Sequence, residues 1–145
     1  MDEIQSGGQT VSFDRSLTRV AYSAVPGGDA ERCGCLYCLN FAAQRSSVYP
    51  AEFCSLLKQI GIDPEKEGEV YEVGREGDRR IYGGWFYFAG EVAALSARNS
   101  TLANFEFWFA EARQLPKPVV DFGDRVAVVE FVTKVPWVLP DHPAP

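Results

Sequence analysis

The spacing of hydrophobic positions changes twice along the chain, and each change predicts a different kind of element. Near the N-terminus Val11 and Phe13 stand two apart, then Leu17, Val20 and Tyr22 follow with Ser and Thr between them, up to a turn at "PGGD" (26–29). This stretch, 10–25, predicts a hairpin or one long bent strand. From Cys35 the spacing becomes three and four, through Cys38, Leu39 and Ala42, among good helix formers, which predicts a short helix over about 35–46. "YPAEFCSLLKQIG" (49–61) predicts a second helix, over 50–60. Pro50 suits a first helical position, Phe53, Leu56, Leu57 and Ile60 form one apolar stripe, and Gly61 is a stop.

After "GIDPEKEGE" the period drops to two, with Val70, Glu72 and Arg75 around Tyr71 and Val73 and a turn at "GREGD" (74–78). "RIYGGWFYFAGEV" (80–92), "LANFEFWFAEA" (102–112) and "DRVAVVEFVTKV" (124–135) are rich in aromatic and β-branched residues and are separated by "SARNS" and "LPKP". The fold class expected is α+β: an antiparallel meander of about four to six strands with two helices packed on one face. Residues 1–145 are expected to form a single domain, with the Pro-rich tail from about 136 extended on the surface and anchored by Trp137.

Composition then narrows the function. With 46% hydrophobic residues, a chain of this length can bury about two thirds of its unfolded surface in one core. A net charge of −6 argues against nucleic acid as a partner. The longest uncharged apolar run, "IYGGWFYFAG" (81–90), is about half of a membrane span, and the acidic start "MDEIQSGG" is unlike a signal peptide. A cytoplasmic setting follows as the expectation, and there thiols stay reduced, which disfavours a disulfide framework. The single histidine, His142, lies in the tail, so Cys–His and Ser–His pairs have no candidate inside a cleft.

"ERCGCLYCLNF" (31–41) places Cys33, Cys35 and Cys38 within six positions, and Cys54 follows on the second predicted helix. Cys35 and Cys38 have the Cys-x-x-Cys spacing that supplies two zinc ligands, Gly34 can fold Cys33 toward them, and Cys54 can close the tetrahedron. The second half of a usual zinc pattern is absent, and free cysteine is among the most buried residue types, so burial of Cys38 and Cys54 between two helices is the reading preferred to zinc. Thiol redox chemistry is third, resting on Cys35 at a helix start where the dipole favours a thiolate. Asp29 is the candidate cap for that helix.

The aromatic strands carry the other candidate site. Tyr82, Phe86 and Phe88 alternate with Trp85 and Tyr87, and Phe105, Phe107 and Phe109 alternate with Glu106, Trp108 and Ala110. With the Phe-rich face against the helices, the other collects Trp85, Tyr87 and Trp108 near Glu106 and Glu130. That face can be closed by the N-terminal segment and the tail, can meet a protein partner or second copy in a homodimer, or can line a small-molecule cleft. Gly83 and Gly84 are expected at a bulge or beneath a neighbour's large ring.

Together "CGCLYCLNF", "YPAEFCSLLKQIGIDPEKEGEVYE", "YGGWFYFAGE" and "VEFVTKVPWVLP" resemble a family of small bacterial proteins to which no activity is attached. The resemblance implies one intact domain in an intracellular bacterial setting, and no cofactor or catalytic residue. The expectation is a non-enzymatic interaction module using the Trp/Tyr sheet face. The rival is a cysteine-cluster protein that binds structural zinc or does thiol redox chemistry through Cys33, Cys35, Cys38 and Cys54.

Overall fold

The computed structural model describes residues 1–94 and 100–145, so "SARNS", apart from Ser100, lies outside the described residues. Strands β1 (Asp2–Ser6) and β2 (Gln9–Phe13) form a hairpin that turns at Gly7 and Gly8. The first hairpin therefore precedes most of the region expected to form it, and the residues after Phe13 are helical. Asp14 stops β2 and starts α1 (Arg15–Ala24), its carboxylate accepting the Leu17 amide at 3.0 Å. The difference has a physical cause. The buried face of α1 is Thr18, Ala21 and Tyr22, while Val20 is 67% exposed, so the helical stripe is built from residues that a count of aliphatic positions passes over.

A five-residue helix, α2 (Asp29–Cys33), leads into α3 (Leu36–Val48) and α4 (Ala51–Ile60). Pro50 occupies the cap position one residue before α4. Gly61, at φ 100°, ends it by donating to the Leu57 and Lys58 carbonyls. The strands β3 (Glu69–Glu76), β4 (Arg79–Ala94), β5 (Ser100–Leu102), β6 (Phe105–Glu111) and β7 (Val126–Pro136) complete one antiparallel sheet of seven strands. The class is α+β as expected, with more strands than foreseen and three helices of ten or more residues among the described ones. No described helix is long and apolar enough to cross a membrane.

The sheet is organised around β4. Along one edge it pairs with β7 from Arg79 to Ala89; along the other it pairs with β3 from Arg79 to Trp85 and with β2 from Gly90 to Ala94. Between β3 and β2 that second edge would leave backbone groups unpaired, and buried ones cost free energy. Helix α1 fills the gap. Tyr22 Oη donates to the Tyr87 carbonyl at 2.6 Å, Thr18 Oγ1 accepts the Ala89 amide at 3.1 Å, and the Asp14 amide donates to the Ala89 carbonyl at 2.9 Å. Thr18 and Tyr22 are thus buried because they stand in for a missing strand.

The alternation read in β4 and β6 holds. Tyr82, Phe86, Phe88, Phe105, Phe107, Phe109 and Phe131 are buried on one face, and α3, α4 and the link between them cover it with Phe41, Phe53 and Tyr49. Gly84 leaves room on this face for the Phe131 ring, which a Cβ would approach to 2.7 Å; Gly83 does the same for Tyr71 on the opposite face, at 2.5 Å. The C-terminal tail does not reach that opposite face. It folds over the start of β4 on the helix side, where Arg80 lies over the Tyr37 and Trp137 rings and contacts the Pro145 carbonyl. Asn40 ties the tail to α3, donating to the Pro136 carbonyl at 3.2 Å and accepting the Val138 amide at 2.7 Å.

Candidate metal centre

Helix α2 ends at Cys33 because Gly34 takes φ 74°, a left-handed conformation in which a Cβ would meet nothing within 4 Å. The glycine serves its backbone angle, not a lack of space. The chain reverses there, and Cys35 becomes the cap of α3, its Sγ accepting the Cys38 amide at 3.4 Å. Asp29, the residue expected to cap this helix, is used elsewhere: its carboxylate accepts the Val70 amide of β3 at 3.0 Å.

These turns bring the sulfurs of Cys33, Cys35 and Cys38 together, all within 4.8 Å of one another, with Cys33 and Cys35 exposed and Cys38 buried. The edge of a tetrahedron with metal–sulfur bonds near 2.3 Å is about 3.8 Å, so this spacing is close to that of three thiolate ligands of one ion. Burial pushes the Cys35 thiol up, but the Cys38 and Tyr37 amides and the Cys33 and Cys38 thiols outweigh it and hold Cys35 below the ordinary thiol range. Cys38 moves the other way, raised by burial and by its two neighbouring thiols. Cys54 does not join them. It sits half-buried on α4 with its thiol 3.9 Å from the Tyr49 carbonyl, and burial raises its pKa. Of the four candidate ligands the structure brings three together, and Cys54, carried on α4 to the Tyr49 carbonyl, lies outside that group.

A buried ion pair, invisible in the sequence because Arg and Glu usually mark the surface, holds α2 against α3. Glu67 is 0% exposed and accepts from Arg45 Nη2 at 2.6 Å, from Arg45 Nε at 3.1 Å and from the Ala30 amide at 3.3 Å. Arg45 also pairs with Glu31 of α2. Gly28 lets the three segments close up, since a Cβ there would lie 2.7 Å from the Glu65 carbonyl oxygen and 2.8 Å from Arg45 Nη2. Burial raises the Glu67 carboxyl more than Arg45 and the Glu67 and Ala30 amides lower it, so it titrates above the usual carboxylate range.

The aromatic face is less open than expected. Tyr87 is buried, its hydroxyl donating to the Pro116 carbonyl, and Phe122 packs against both Tyr87 and Tyr22. The cover on this part is the connection 115–122, in place of the N-terminal segment or the tail. Beyond it Trp85, Glu130 and Trp108 lie side by side on adjacent strands, and Trp108 Nε1 donates to Glu130 at 2.7 Å. Tyr71 lies beside Trp85 with ring centroids 6.1 Å apart, and Glu106 is exposed on the same face. The Trp85 Nε1 is buried with no hydrogen-bond partner among the described residues.

No family model, curated protein or solved structure matches this chain.

Chemistry at the junction rests on its own residues. Thiolate ligands favour soft or borderline ions, and a tetrahedral sulfur set suits zinc. Three ligands from one turn leave one coordination position outside the trio. The adjoining clamp of Arg45, Glu31 and Glu67 fixes α2, and with it Cys33, relative to Cys35 at the cap of α3 and Cys38 in its first turn.

Proposed function

We propose that this is a metal-binding protein in which the thiolates of Cys33, Cys35 and Cys38 hold a zinc ion at the junction of α2 and α3, its fourth position left to water, a small ligand or a partner's donor. The observation that carries the reading is the convergence of three sulfurs within 4.8 Å at a turn whose glycine is present for its backbone angle. Protein prepared without a poly-His tag, under reducing conditions and without chelator, is expected to carry about one zinc per chain by elemental analysis. Cys35→Ser and Cys38→Ser should release it and Cys54→Ser should keep it. Wild-type protein that takes up no metal on reconstitution would overturn the proposal, as would equal loss in Cys54→Ser.

The interaction reading of the sheet face is kept as a second one, narrowed to Tyr71, Trp85, Trp108 and Glu130 now that 115–122 covers Tyr87. What favours it is two indoles on one unclosed row, a composition typical of protein interfaces. A Trp85→Ala, Trp108→Ala double variant should convert a sedimenting dimer to monomer. A wild-type protein that sediments as a monomer at all concentrations rules out the homodimer form.

A further inference from the structure

We infer that the groove between α1 and the C-terminal end of α4 binds a small molecule carrying several negative charges. The groove has a volume of about 490 Å³, within the range of roughly 300–1,000 Å³ usual for small-molecule sites. Arg15, Arg19, Lys58 and Lys66 line it, against the single carboxylate of Asp63. Lys66 is already engaged, donating to the Tyr22 carbonyl at 2.9 Å and lying 4.0 Å from Asp63. Arg15, Arg19 and Lys58 have no carboxylate within 4.0 Å among the described residues, in a chain whose net charge is −6.

The arrangement runs against local stability, which is what marks it. Arg15 is the first residue of α1, the end where the helix dipole disfavours a cation, and the Asp14 carboxylate at the cap accepts the Leu17 amide and forms no ion pair with Arg15. Arg19 follows at i+4, a spacing at which like charges repel. Their aliphatic stems are held in place by the turn after α4: a Cβ on Gly61 would lie 3.0 Å from Arg19 Cγ and 3.3 Å from Arg15 Cγ. Of the carbonyls at the end of α4, which repel an anion, those of Leu57 and Lys58 are turned to the Gly61 and Ile62 amides. A bound polyanion relieves the repulsion and supplies the missing acceptors through charge-assisted hydrogen bonds.

Titration of the full-length protein with inorganic pyrophosphate, and separately with citrate, at low ionic strength tests this by amide chemical-shift perturbation. Saturable shifts confined to 15–23 and 58–66 are expected, with a dissociation constant below about 1 mM. Both arginines are on the surface, so the Arg15→Ala, Arg19→Ala double variant should fold, and it should bind at least about tenfold more weakly. Arg75→Gln, on β3, removes a charge elsewhere and should leave the affinity unchanged. Binding of pyrophosphate alone assigns the groove to phosphorylated ligands, and equal binding of citrate assigns it to polyanions in general. Absence of saturable binding by either probe, or equal weakening by Arg75→Gln, overturns the inference.

Discussion

Arg45→Ala is expected to destabilise the protein by about 3–5 kcal/mol, because it strands a carboxylate that is 0% exposed. The cost lies in the uncompensated charge more than in the lost attraction. Replacing both partners, as Arg45→Met with Glu67→Met, should therefore recover much of the loss, and urea denaturation of the three variants would show it. The sign with pH is also fixed. Burial holds Glu67 above its unfolded pKa, so the folded chain binds its proton more tightly, and the group's contribution is greatest at low pH and declines as pH rises through the raised value. Without Arg45 the carboxyl loses a charge that lowers it, so the deficit of Arg45→Ala should shrink as pH falls toward the ordinary carboxylate range. A deficit under about 1 kcal/mol, or one that grows on acidification, contradicts this account of the pair.

Phe53→Ala should cost about as much, some 3–5 kcal/mol, through an unrelated mechanism. Phe53 is 0% exposed and its ring meets those of Phe105 at 4.7 Å, Phe107 at 5.1 Å and Tyr49 at 5.6 Å. It is the point where α4 enters the sheet. Truncation leaves a cavity walled by Phe105 and Phe107 of β6, Phe86 of β4, Phe131 of β7 and Tyr49 after α3, rings on three strands and a helix cap that cannot all close toward it. The loss should show in the denaturation midpoint and vary little between pH 5 and pH 8, unlike that of Arg45→Ala. Phe53→Leu, which fills part of the volume, should retain more than half of the lost stability, and a Leu variant as unstable as the Ala variant would contradict the cavity explanation.

What could be read from the chain divides along the same physical lines. The helix at Ala51–Ile60 and the two faces of β4 and β6 were legible because apolar periodicity decides them, and burial follows periodicity. Helix α1 was not, since Thr18 and Tyr22 are buried to satisfy the open edge of β4, a demand set by strands sixty and more positions away. Three of the four cysteines were legible as a cluster because they share one turn, whereas the place of Cys54 depends on how α4 sits on the sheet. The Arg45–Glu67 pair gave no sign at all, because a buried charge and a solvated one are the same letter.

Asp29 has a consequence for how the protein behaves in concentrated solution. An outer strand with free amides is a template for edge-to-edge association and aggregation. Along β3 the Val70 amide faces away from β4 and is taken by Asp29, and further on the strand is bulged between Glu72 and Gly74. The other margins are blunted differently, β5 by being only three residues long and β1 by carrying Asp2 and Glu3. The carboxylate expected to cap a helix instead stands guard on a strand, keeping a sheet of seven from recruiting an eighth.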